Sequence, residues 1–364
     1  MKLSSVTSGK NNNYNLIRIL AALAVLVGHS FALLKQPEPL GQDLGISLGS
    51  IAVDLFFIAS GFLVTGSLLQ RQNLQEYLLA RALRIFPGLL VVLLLSVFVL
   101  GAVFTSLTLT AYYSHPQTYY YLHKCLTLVT GAAYYLPGVF ESNPYKGAVN
   151  GSLWTMVYEV KMYIFLAIFW AVCRVSKNHG LLLFRRLILL LATGAGIFSL
   201  VHYFSSAEHS PADGLFFMFF SGAAYAVLKD KVQLSARLFW PLCLALLGSA
   251  MLNQQAFFLV YQVSLAYILF YLAYVPAGLI RKYNVLGDYS YGVYIYAFPV
   301  QQSLIALYPA ISVAVLTLLS GAVTLMLAVL SWYLIEQPAL AFKGRFVARR
   351  QSASSLAAHT APPV

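Results

Sequence analysis

The sequence predicts an all-α fold: a polytopic transmembrane helical bundle of about ten spans with both termini cytoplasmic. Hydrophobic residues make up 60% of the chain and charged residues 9%, too little charge to cover a soluble protein of this length. Apolar runs long enough to cross a bilayer recur from end to end. These runs are continuous, whereas a transmembrane barrel shows ten-residue segments of alternating polarity.

Each element follows in order. The head, MKLSSVTSGKNNNY, is polar for too long to open a cleavable signal peptide, so 1–13 reads as a cytoplasmic segment. At about 20 residues per crossing, the first span lies near 15–34 and contains NLIRILAALAVLVGHS. The second, 48–70, holds GSIAVDLFFIASGFLVTG, and the third, 85–108, follows the basic stretch LLARALR. Residues 109–151 form a long outer segment, rich in tyrosine and carrying Asn143 and Asn150. The fourth span, 152–173, opens SLWTMVYEVKMYIF, and the fifth, 187–205, follows Arg185 and Arg186. The sixth and seventh, 214–228 and 238–252, are short; 256–276, 288–307 and 312–335 complete the set. The membrane domain therefore covers 14–342. The tail 343–364 is basic and then small, polar and proline-containing, which predicts cytoplasmic disorder.

Charge fixes the orientation. With the amino terminus inside, all but four of the 23 basic residues fall on the cytoplasmic side, the exceptions being Lys35, Lys124, Lys146 and Lys161. An eleventh span across 122–140 would put most of that charge outside. The net charge of +12 thus reports topology and contact with anionic lipid, and a nucleic-acid partner is not expected. Cys125, Cys173 and Cys243 lack metal or redox spacing and read as packing residues, so no metal is expected.

Ionisable groups at membrane depth are costly, so each one is a candidate functional residue. Arg18 and His29 are eleven residues apart, about three full helical turns, which puts them on one face roughly 16 Å apart along the axis. Arg18 alone reads as a snorkelling arginine and His29 alone as a packed histidine; their shared face favours a joint role. Asp54 and Glu159 both enter early in spans that start from the outside, at the depth of His29. A carboxylate that fixes an imidazole tautomer makes a general base, while the structural alternatives are a helix cap for Asp54 and a packing cluster for Glu159. Arg81 and Arg84 share a face at the start of the third span. Beside Arg18 they could form a basic mouth able to grip phosphates.

In chain order, the segments that carry a family likeness are Arg18-x10-His29, VDLFFIASGFL (53–63), RALRIFP (81–87), SLWTMVYEVKMY (152–163), LGDYSYGVYIYAFPVQQ (286–302) and SWYLIEQP (331–338). Over about 12–342 the chain resembles the acyltransferase-3 family of bacterial inner-membrane O-acyltransferases. The resemblance implies a multi-pass protein of the bacterial inner membrane. It implies transfer of an acyl group, usually acetyl, from cytoplasmic acyl-CoA to a hydroxyl of an extracytoplasmic or lipid-linked glycan. It carries the family's essential positions onto Arg18, His29, Arg81 and Arg84; together with the two acids at membrane depth, this makes Arg18, Arg81 and Arg84 candidates for holding the coenzyme and His29, Glu159 and Asp54 candidates for catalysis. Candidate acceptor contacts are Trp154, Tyr158, Tyr294 and Asn150. Acetyl-CoA or another acyl-CoA is the expected donor; a glycan and membrane lipids are the expected partners, with homo-oligomerisation left open. Two departures stand out: Asn15 replaces the family's frequent aspartate three residues before the arginine, and Ala297 replaces a frequent late histidine. Any clamp on Arg18 must then come from elsewhere. The rival reading is a carrier or lipid flippase that uses the same buried charges as a substrate or proton path.

Overall fold

The computed structural model describes residues 1–7, 9, 11–176, 178–205 and 211–342; the tail expected to be disordered lies outside them. The described residues are helical and carry three isolated β-bridges in place of any strand. Ten long helices follow one another: α1 (Tyr14–Leu33), α2 (Leu48–Arg71), α3 (Leu74–Phe104), α4 (Leu153–Arg174), α5 (Gly180–Ser205), α6 (Pro211–Leu228), α7 (Ala236–Leu252), α8 (Gln254–Tyr274), α9 (Ser290–Leu307) and α10 (Val313–Phe342). Seven of them, all but α6, α7 and α9, are long and apolar enough to cross a membrane.

The three others fall where spans are expected. α6 and α7 are short. α9 has the length but carries Tyr291, Tyr294, Tyr296, Gln301 and Gln302, and most of it is buried. A helix enclosed by protein can carry amides that lipid would not tolerate, so hydropathy understates it.

Local chemistry sets the helix ends. Ser47 Oγ accepts from Ser50 N at 3.2 Å to start α2. Asn73 Oδ1 accepts from Gln75 N and Glu76 N at 3.0 and 3.1 Å to start α3. α3 therefore begins eleven residues before the expected apolar span at 85, because its first turns are helical but polar. Asn13 anchors the start of α1, its Nδ2 donating to Leu272 O and Pro276 O, both at 2.9 Å. Between α3 and α4, two short helices, Leu109–Ser114 and Pro116–Thr127, precede an irregular run to 152. No helix there has the length of a span.

α1 packs between α2 and α9, α9 against α10, and α2 against α6. The α2–α6 contact is backbone to backbone. A Cβ on Gly61 would lie 1.9 Å from Phe219 O, and one on Gly222 would lie 2.0 Å from Ile58 O. Small residues permit such an approach inside a membrane, where packing rather than the hydrophobic effect holds helices together. Gly61→Ala or Gly222→Ala should each lower thermal stability in detergent by about 1–3 kcal/mol. The double variant should cost less than the sum, because one contact serves both glycines.

Two short π-helical turns interrupt the long helices, at Ser96–Leu100 in α3 and Trp332–Glu336 in α10. Such turns re-aim the side chains that follow and often occur at functional sites. The second turns Glu336 into the bundle, where it is 1% exposed.

Candidate active site

The arginines converge. Arg18 Nη1 lies 2.5 Å from Asp288 Oδ2, and Arg84 Nη2 lies 2.6 Å from the same oxygen. Arg84 Nη1 also meets Glu336 Oε2 at 3.2 Å. Asp288 is fixed in turn by Ser290 Oγ, which donates to its other oxygen at 2.5 Å. The carboxylate missing at Asn15 is thus supplied from the start of α9, 270 residues away in sequence.

Arg81 differs from the other two. It makes no ion pair among the described residues, and its guanidinium sits over the Tyr163 ring at 5.6 Å. Tyr163 OH donates to Glu159 Oε1, and Ser60 Oγ reaches the same carboxylate at 3.4 Å. Two arginines facing two carboxylates are balanced, which leaves Arg81 as the cation able to accept an incoming anion without displacing an acid.

These groups line a cavity of about 300 Å3. Arg18, Arg81, Arg84, Asp288, Glu159 and Tyr163 form its polar wall, and Val53, Phe56, Phe57 and Met156 its apolar one. Along α2 the lining runs from Val64 to Val53, eleven residues or about 16 Å. Val53 is one turn from Gly49, which packs on Gly28 of α1, where a Cβ would lie 3.5 Å from the Gly49 Cα. Tyr294 also lines the cavity and is bridged to Thr155 by a short hydrogen bond. One turn further along the same face of α9, Phe298 meets His29 edge to face at 5.3 Å. By both measures the cavity ends about one helical turn short of the imidazole.

The His29 imidazole makes no hydrogen bond among the described residues, and its Nδ1 is buried without a partner. The expected pairing with Glu159 or Asp54 does not form. Glu159 shares a face of α4 with Thr155 and Tyr163 and looks into the arginine cavity. Asp54 faces α8 and accepts from Tyr261 OH at 2.7 Å.

Asn150 is spent on the protein. Pro299 has no N–H for the carbonyl of Ile295 four residues before it, and Asn150 Nδ2 donates to that oxygen at 2.9 Å. Its Oδ1 accepts from Ser152 N at 3.2 Å, so Asn150 holds the kinked α9 against the start of α4. Gln301 Nε2 ties α9 to α1 through Leu26 O and Ser30 Oγ at 2.8 and 2.7 Å. Trp154 and Tyr158 pack edge to face at 5.8 Å and do not line the cavity. Asp288 and Glu336, which complete the arginine cluster, carry no assignment in the sequence reading. Both lie in segments quoted for the family likeness, and each is an acid at the margin of an expected span.

A family model for the acyltransferase domain called acyltransferase-3 matches residues 11–336. An O-acetyl transferase of Shigella phage Sf6 is 29% identical over 350 residues, covering 90% of this chain and 96% of the phage protein. Nodulation protein 10 of Rhizobium leguminosarum bv. viciae is 29% identical over 373 residues, covering 95% and 98%. No solved structure matches the chain. With the family model covering nearly the whole of a helical, membrane-type chain, the protein belongs to the acyltransferase-3 family and is a membrane acyltransferase.

Proposed function

We propose that the chain moves an acyl group, acetyl in the simplest case, from cytoplasmic acyl-CoA to a hydroxyl of an extracytoplasmic or lipid-linked glycan. The observation that carries this reading is the cavity, which starts at three arginines and ends a turn from a histidine with no partner. The relative from Shigella phage Sf6, an O-acetyl transferase by name, supports transfer to oxygen. In a bacterial inner membrane with the amino terminus inside, the arginine end faces the cytoplasm, where acyl-CoA is found.

The coenzyme diphosphate then docks at Arg81, with Arg84 and Arg18 behind it, as guanidinium forks suit phosphate oxygens. The flexible arm lies along the wall of Phe56, Phe57 and Met156, and the thioester reaches the Tyr294 level. His29 takes the proton of the acceptor hydroxyl as its oxygen attacks the thioester carbonyl. A C–O bond forms, the C–S bond breaks, and the departing thiolate takes the proton back from the imidazolium. The products are the ester and free coenzyme thiol. Glu159 acts through Tyr163 on the cavity wall near Arg81, and Asp54 with Tyr261 holds α2 to α8.

Purified protein in detergent tests the reading, since no second compartment exists there. Consumption of acetyl-CoA with ester formation is expected. Substrate movement in vesicles without thioester consumption would instead establish the carrier. Arg81→Ala should raise the KM for acyl-CoA at least about tenfold, the loss of one charge-assisted contact. Its melting temperature should stay near the parent's, because no carboxylate loses its partner. A parental KM would remove Arg81 from the donor site.

A further inference from the structure

Beside His29 lies a second unpaired group. The chain leaves α1 through Lys35, held in the left-handed region at φ 55°, and doubles back. It then runs Pro37-Glu38-Pro39. The two prolines fix their own φ and restrict the residues before them, so Glu38 sits on a stiff segment. Leu48 N donates to Pro39 O at 3.0 Å, which fastens that segment to the start of α2. The Glu38 carboxylate is thereby laid over the α1–α2 crossing. A Cβ on Gly28 would lie 3.2 Å from its Oε2, and one on Gly49 would lie 3.4 Å from the same oxygen. Glycine at both positions makes the seat, because a side chain at either would crowd the carboxylate.

Glu38 is half-buried, and its carboxylate makes no hydrogen bond or ion pair among the described residues, while its backbone carbonyl accepts from Gly41 N at 3.2 Å. A half-buried carboxylate on a stiff segment, with no donor from the protein, is open to a hydroxyl from outside the chain. On the α9 side of the same histidine, Tyr145 is 46% exposed and its ring meets Phe298 edge to face at 6.2 Å; Phe298 in turn touches His29. An exposed ring packed on the phenylalanine that touches His29, and an unpaired carboxylate over the glycine next to His29 in α1, suit a polyol. The ring covers its C–H face, and the acid accepts from its hydroxyls.

We propose that Glu38 is an acceptor-binding residue: its carboxylate receives a hydrogen bond from a hydroxyl neighbouring the one acylated and so holds the sugar at His29. The inference rests on the acyl-transfer reading above. The test exchanges the gene in its own host for Glu38→Gln and Glu38→Asp. It measures the acetyl ester released by mild alkali from extractable cell carbohydrate. In parallel, protection of the purified full chain by acetyl-CoA against thermal unfolding reports folding and donor binding.

Glu38→Gln should lower the ester at least about tenfold, since a hydrogen bond to a charged group is replaced by a neutral one. Glu38→Asp should recover part of it, and both variants should keep the parental acetyl-CoA protection. Parental ester content in Glu38→Gln overturns the inference. Loss of acetyl-CoA protection overturns it as well, by making Glu38 a structural or donor-side group. If the parent forms no ester and is not protected by acetyl-CoA, the acyl-transfer reading itself falls, and the assignment of Glu38 falls with it.

Discussion

His29→Ala should abolish ester formation, with a fall of about 10²–10⁴ in turnover, while acetyl-CoA still protects the protein against thermal unfolding. The magnitude is that of losing a positioned general base. The separation of the two readouts follows from the geometry. The imidazole lies beyond the Tyr294 end of the cavity, and the anion-binding groups lie at the other end. The His29 side chain also carries little of the fold: its imidazole makes no hydrogen bond among the described residues, and the ring meets Phe298 edge to face. Truncation leaves a small void and frees no buried charge. Turnover that persists in His29→Ala would show that the proton is taken elsewhere. Loss of coenzyme protection would show that the imidazole holds the donor and does not act on the acceptor.

Asp288→Ala should be strongly destabilising, costing about 3–5 kcal/mol. Its Oδ2 holds both Arg18 and Arg84, whose side chains are 24% and 13% exposed. Removing one partner of a buried ion pair strands the other's charge, and here two charges lose a partner at once. Arg84 keeps Glu336 at 3.2 Å, while Arg18 is left with only the face of Phe56 at 5.8 Å. Asp288→Asn retains one acceptor oxygen for the guanidinium groups and should fall between the parent and Asp288→Ala. Thermal unfolding in detergent measures both. The expected order, Asp288→Ala below Asp288→Asn below Arg81→Ala, separates the structural arginine cluster from the anion-binding arginine. Equal melting temperatures for all three would show that the cluster is not under this strain.

These effects divide along a line already visible between sequence and structure. Every expected span has a helix in its place, seven of them long and apolar enough to cross a membrane, because a run of about twenty apolar residues is a local property that needs no partner. The joint face of Arg18 and His29, and the pairing of Arg81 with Arg84, follow from helical periodicity alone. One boundary moved and one hydropathy signal fell short, each for a physical reason. α3 starts at Leu74, capped by Asn73, and not at 85, because a cap and a polar first turn make helix without making hydropathy. α9 is held by protein contacts, so its glutamines depress a signal that assumes lipid outside.

The sequence by itself determined the class of molecule, the positions of its long helices, and the small set of polar residues worth suspecting. Only the tertiary structure decided what each of them does to the others. It took the clamp for Arg18 from Asp288, turned Glu336 onto Arg84 through a π-helical turn, sent Glu159 to the arginine cavity and away from His29, and spent Asn150 on the carbonyl freed by Pro299. The reason is the range of the forces involved. Hydropathy and helical phase act within a few residues, whereas an ion pair or a stranded carbonyl is satisfied by whichever group the packing brings within about 3 Å, and no spacing along the chain encodes which group that is.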